Sequence, residues 1–179
     1  AIGANVKYAR QSLGESVMSE GESGRTVQDN ALGTPAVDFG ILYRTGFQSL
    51  TFAFVTRNFS QEITYVEESL ELPLTFQLGV SMDVLDLTQA NSGTHSFIMS
   101  VAAEHPRDYV EQLKVGGEYR FMDLLALRAG YVFPTDEQGI NLGAGINTAI
   151  SGATFGFDYA YTQFGVFGNV NRLALQVGF

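Results

Sequence analysis

The residues able to do chemistry are few and poorly spaced for it. The chain has only two histidines, His95 and His105. They open and close one strand-like segment, so along an extended chain they stand ~33 Å apart and cannot share a metal. There is no cysteine, which removes disulfides and thiolate metal sites. Serine is plentiful, but no Gly-x-Ser-x-Gly nucleophile elbow occurs. Gly143-Ala144-Gly145 has neither the third glycine nor the following helix of a dinucleotide fingerprint. It reads better as a stretch where backbones or a plug pack closely. No catalytic, cofactor-binding or metal-ligating set follows from these residues, and the expectation is a protein that is not an enzyme.

The charged residues are more informative. Glu118 and Arg128 flank a short turn at Met122–Asp123 symmetrically, which predicts that they face each other on adjacent strands. Opposite charges across a strand pair are ordinary stabilisers, and the alternative is a role toward a pore or partner. Asp158 and Arg172 flank a later loop and invite a looser version of the same reading. The run His105-Pro106-Arg107-Asp108-Tyr109 combines both charge signs, an aromatic and a turn-forming proline. At the rim of a barrel it is a candidate partner-binding loop, although ordinary loop chemistry gives the same composition.

What must position these residues is a series of strands. The dominant period is two, so each segment has one apolar and one small or polar face. Leu173, Leu175, Val177 and Phe179 alternate with Arg172, Ala174, Gln176 and Gly178. Phe155, Phe157, Tyr159 and Tyr161 alternate with Gly156, Asp158 and Ala160. The same pattern runs back through Ile140–Asn147, Leu125–Phe133, Leu113–Phe121 and Phe97–Glu104, with Ile98 an exception. It continues through Leu74–Asp83, Leu50–Phe54, Val37–Tyr43 and Ile2–Tyr8. This predicts roughly ten strands of about ten residues, the length needed to cross a bilayer, whereas strands of soluble folds average five or six.

The opposite face sharpens the assignment. It carries mainly Gly, Ala, Ser, Thr, Asn and Gln with isolated charges, which suits a crowded barrel interior rather than bulk water. Connections alternate between short (Thr45–Gln48, Met122–Asp123, Ser151–Ala153) and longer or more charged (Gly14–Thr34, Asn58–Glu71, Glu104–Val110, Thr135–Gly139, Phe164–Val170). That is the pattern of short periplasmic turns and long extracellular loops, with both chain ends on the periplasmic side. Asp86–Thr94 fits less well, being long on the short side. The predicted fold is an all-β, antiparallel transmembrane β-barrel, one domain over residues 1–179. In hydrocarbon every backbone group needs a partner, so the strands must close on themselves, on another copy or on further strands. The final Phe179, with apolar residues at alternate positions before it, resembles the assembly signal of outer-membrane barrels.

Bulk properties agree. Charged residues make up 16%, against about 25% in soluble domains. The net charge of −9 and the scattered ten Lys and Arg argue against nucleic acid. No stretch reaches the ~18 apolar residues of a membrane helix. The chain begins at Ala1, directly in a strand-like pattern, and the expectation is that an export signal and further N-terminal strands precede it.

The words of the sequence also resemble a family. Gly3-Ala4-Asn5-Val6-Lys7-Tyr8 with Leu13-Gly14, Asp38-Phe39-Gly40-Ile41-Leu42-Tyr43-Arg44, Arg57-Asn58-Phe59 and Leu72-Pro73-Leu74 are similar to PorV/PorQ outer-membrane proteins. So are His105-Pro106-Arg107-Asp108, Gly116-Gly117-Glu118-Tyr119, Ala126-Leu127-Arg128-Ala129-Gly130-Tyr131, Asp158-Tyr159-Ala160-Tyr161 and the Arg172-to-Phe179 ending. Each is weak alone, but the series runs in order through nearly the whole chain. The resemblance implies a FadL-like barrel of fourteen strands, of which this chain supplies about the last ten. It implies a role in a type IX secretion system at the bacterial outer membrane. PorV-like members bind the C-terminal domains of secreted cargo and pass them to a surface attachment complex. PorQ-like members anchor another component of that complex. Partners would be cargo proteins, other secretion subunits and outer-membrane lipid, with no cofactor. The alternatives are a FadL-like transporter of hydrophobic small molecules and, less favoured, a soluble all-β binding module.

Overall fold

A computed structural model describes the chain except for residues 21–23, 66–67, 89–92, 135–137 and 151. The fold is all-β. Its strands are β1 (Ile2–Glu20), β2 (Gly24–Arg44), β3 (Thr51–Ser60), β4 (Ile63–Tyr65), β5 (Glu68–Leu70) and β6 (Thr75–Asp83). They continue with β7 (His95–Pro106), β8 (Gln112–Phe121), β9 (Leu125–Phe133), β10 (Ile140–Ile150), β11 (Ala153–Gln163) and β12 (Asn169–Gly178). Ten of them form one antiparallel meander in the order β1-β2-β3-β6-β7-β8-β9-β10-β11-β12, while β4 and β5 make a separate small hairpin. The sheet is not closed: β1 and β12 are its two edges.

The period-two pattern becomes two continuous faces because every strand pair is in phase. On one face the rungs join Phe52, Val80, Val101, Val115, Tyr131 and Ile140 across six strands. Another row on that face joins Phe97, Tyr119, Leu127, Ala144, Tyr159 and Leu173. The opposite face carries rows such as Ile98, Glu118, Arg128, Gly143, Ala160 and Arg172. Ile98, the exception to the alternation, therefore lies among polar-face residues.

Burial is distributed the opposite way to a water-soluble core. Leu175 is 80% exposed, and Leu78, Ile146 and Leu173 are also exposed on the apolar face. The most sheltered described residues include Ala36, Ala126, Val132, Asp83 and Thr162, all on the polar face, with Thr56 the exception on the apolar one. No large side chain is fully buried among the described residues. Among the described residues, many large side chains of the apolar face are left exposed.

The strands are staggered as well as paired. One unbroken row of rungs runs Arg44, Thr51, Ser81, Ser100, Gly116, Gly130, Asn141, Thr162, Val170. It starts beside the β2–β3 turn and ends beside the loop at the other end of β11–β12. Thr51 is the first residue of β3, whereas Thr162 lies nine residues past Ala153, the first of β11. A slip of about nine residues over about six strand steps, at ~3.4 Å rise and ~4.8 Å spacing, leans the strands by roughly 45° from the perpendicular to the line of short turns.

The short turns have clear chemical causes. Met122 and Asp123 have φ of 52° and 53°, and Leu124 N–H donates to Phe121 O at 3.0 Å. Two left-handed residues in succession match the twist of the strands, and because the last rung joins Phe121 with Leu125 the loop holds three residues, Met122 to Leu124. Gly152 (φ 86°) serves the β10–β11 turn, whose Ser151 lies outside the described residues. The connection after Asp83, unexpectedly long for its side, opens as a 3₁₀ turn over Val84–Leu87. There Asp83 Oδ1 accepts from Leu85 N–H at 3.0 Å and from Phe97 N–H at 3.1 Å. Part of it, and the first three residues of the Thr135–Gly139 loop, lie outside the described residues.

One loop assignment is corrected. Gly14–Thr34 is mostly not a loop, because β1 and β2 stay paired as far as Glu20 and Gly24, past an irregularity between Ser12 and Glu15. The two strands run on as a ribbon beyond the last β2–β3 rung, Ala36 with Ser60. A ladder is held by backbone bonds and does not need apolar side chains, so its polar composition hid it. Asn58–Glu71 likewise contains the β4–β5 hairpin.

Candidate functional site

Two places gather the polar chemistry: the middle of the polar face, and the rim at the long-loop end. On the polar face, β8 and β9 bring Glu118 and Arg128 onto the same rung, with Arg128 Nε 2.5 Å from Glu118 Oε2. The register is set by a loop of three residues, Met122 to Leu124, because a turn of Met122 and Asp123 alone would have put Glu118 opposite Leu127. The pair is part of a longer chain of charges. Arg120 Nε lies 2.6 Å from Glu118 Oε1, and Arg128 Nη1 lies 2.6 Å from Asp158 Oδ1.

Asp158 is thus committed to Arg128 and does not pair with Arg172, contrary to the looser expectation. The rungs explain why: Asp158 faces Ala174, and Arg172 faces Ala160. Arg128 stands on β9 and Asp158 on β11, so their contact must cross β10. It does so over Gly145, where an added Cβ would stand 3.2 Å from Arg128 Nη1 and would run into the Asp158 carboxylate. The close approach expected at Gly143-Ala144-Gly145 is therefore a side-chain bridge at Gly145. Sequence reading marked the close approach at Gly145 but missed the ion pair that makes it. A glycine between opposite charges two strands apart is the signal that marks it, and it becomes visible only once the β9–β10–β11 registers are known.

Two further polar-face clusters share this character. Glu104 accepts from Gln77 Nε2 at 2.6 Å and pairs with Lys114. Asp38 accepts from Lys7 Nζ at 2.7 Å and from the backbone N–H of Asn58 at 2.8 Å. Asn58 has φ of 59° at a point where the β2–β3 register shifts, so the carboxylate holds a bulge in place.

At the rim, the candidate partner loop divides. His105 and Pro106 are the last residues of β7, and Arg107 to Tyr109 form the turn that follows. His105 Nδ1 lies 3.0 Å from Glu111 Oε1. Arg107 pairs with Glu71, and its backbone N–H donates to Leu74 O at 2.8 Å. Asp108 and Tyr109 are exposed, Tyr109 by 77%. His95, at the other end of β7, lies 2.6 Å through Nδ1 from the Tyr119 hydroxyl. Among the described residues no group of His, Asp and Glu could hold a metal. Phe179 follows the last strand and is fully exposed.

Set beside known proteins, the chain matches no family model, no curated protein and no solved structure.

Proposed function

We propose that this sheet is part of the wall of a bacterial outer-membrane β-barrel, and that the barrel is a non-enzymatic component of a type IX-like protein secretion system. It would bind cargo C-terminal domains at its long-loop rim and pass them to a surface attachment complex. The observation that carries the membrane reading is the apolar face, continuous across all ten strands and left exposed among the described residues. In water such a face would be an aggregation surface, and in lipid it is the required exterior. The lean of roughly 45° supports the same reading, since membrane-spanning strands tilt by about 35–45°. The edges β1 and β12 would then pair with further strands, because open edges are not tolerated in hydrocarbon. The secretion role rests on the resemblance to PorV/PorQ proteins.

Adjacent alanines on β7 test the membrane reading. Ala102 shares a rung with Lys114 on the polar face, and Ala103 shares one with Leu113 on the apolar face. In liposomes, A102C reacts with a small water-soluble maleimide while A103C is protected and is quenched by a lipid-borne quencher. Equal reactivity at both positions sinks the reading. For the secretion role, full-length protein is pulled down from outer membranes and its companions are identified by mass spectrometry. Secreted proteins sharing a C-terminal β-domain support the role. Recovery of lipid or fatty acid alone transfers the proposal to FadL-like transport.

A further inference from the structure

We propose that residues 71–74 form a strap folded inward over the polar face at the long-loop rim, and that the turn at 107–111 is the handle that holds it. The inference rests on the barrel reading, in which the polar face bounds an enclosed space. The first observation is placement. Glu71 and Leu72 line a cavity of about 320 Å³ together with Ala9, Leu32 and Thr34. Ala9 and Thr34 are rung partners on the polar face of the β1–β2 ribbon, and Leu32 is on the same face. Thr34 is 3% exposed and Ala36, two residues on, 1%. Glu71 and Leu72 therefore lie toward the polar side of the ribbon.

The second observation is that this segment is fastened at both ends. Asn58 Nδ2 donates to Pro73 O at 2.8 Å, from a residue whose own backbone is fixed by Asp38. On the far side, Arg107 holds Glu71 by its guanidinium and Leu74 O by its N–H. Arg107 belongs to the turn that ends in the exposed Tyr109 and Val110. A partner gripping that turn pulls on the same residue that holds the strap. The turn and the opening over the polar face are thus one mechanical unit, and the rim loop would admit or exclude bulky solutes according to whether it is engaged.

The absence of native cysteine makes the test direct. Gly40 lies on β2, on the polar face and on the turn side of Asp38. G40C in the full-length protein in liposomes is labelled from outside with a bulky water-soluble maleimide. R107A is expected to raise that rate several-fold. Joining T34C to L72C with a short bifunctional maleimide, before G40C is introduced by ligation or unmasked, is expected to lower it. A rate unchanged by either manipulation overturns the strap and leaves the barrel standing. If A103C on the apolar face labels as fast as A102C, the barrel reading itself has failed.

Discussion

The β1–β2 ribbon and the β7–β11 part of the sheet are built from the same backbone ladder yet have opposite side-chain logic. Between β7 and β11 the strands alternate apolar and polar residues, with Ile98 and Val132 as exceptions on the polar face, and the rungs keep those classes in register from strand to strand. Beyond Ala36 the ribbon has polar residues on both faces, such as Gln11 on one and Arg10 and Ser12 on the other, while its ladder continues. Hydrogen bonding is thus common to both regions, and only the side chains report the surroundings. The first region presents two different surfaces on its two sides, and the second presents one.

The largest test of that contrast is a charge on the apolar face. L78R, at an exposed apolar-face position, should cost about 2–4 kcal/mol in bilayers. V27R in the ribbon and S100R on the polar face should each cost less than about 1 kcal/mol, as surface changes do. Equilibrium unfolding from liposomes measures all three, and similar costs at the three positions would erase the distinction between the regions.

Next in size is R128A. It leaves Glu118 and Asp158 facing each other without their shared cation, and should cost about 1–2 kcal/mol, between exposed and buried pairs. G145A comes third, at about 1 kcal/mol, because its methyl lies in the path of the Arg128–Asp158 bridge. Its effect should be strongly non-additive with D158A, and additive costs would show that the glycine matters for another reason. The smallest effect is a gain. M122G relieves a left-handed backbone at an exposed residue and should stabilise by about 0.5–1 kcal/mol.

How much of this was legible in the sequence follows from the same contrast. Ten strands and their facing could be read because alternation such as Leu173, Leu175 and Val177 against Arg172, Ala174 and Gln176 is a side-chain signal. The nearness of Glu118 and Arg128 is legible because a short turn fixes register to within one residue, while the rung itself depends on Leu124 also belonging to the loop. The ribbon is not, because Glu15 to Thr34 carries no alternation that distinguishes a strand from a polar loop. The Arg128–Asp158 bridge is not, because it spans a third strand and depends on two registers at once. Closure was expected from the requirements of hydrocarbon, but the described sheet keeps two free edges. The hold of Arg107 on Glu71 joins segments 36 residues apart, through a loop whose path no local pattern sets.

The unbroken row from Arg44 to Val170 has a consequence for accuracy during assembly. Because the sheet is a meander, each strand takes its height from the one before it, like a step on a spiral stair. A one-residue slip at the Met122–Asp123 turn would move every later strand one step and turn each of its side chains to the other face. Leu142, Phe157 and Leu175 would then lie on the polar face, and Arg128, Asp158 and Arg172 on the apolar one. Such an error cannot be repaired locally, so the tightest turns are also the points at which the whole downstream half is proofread.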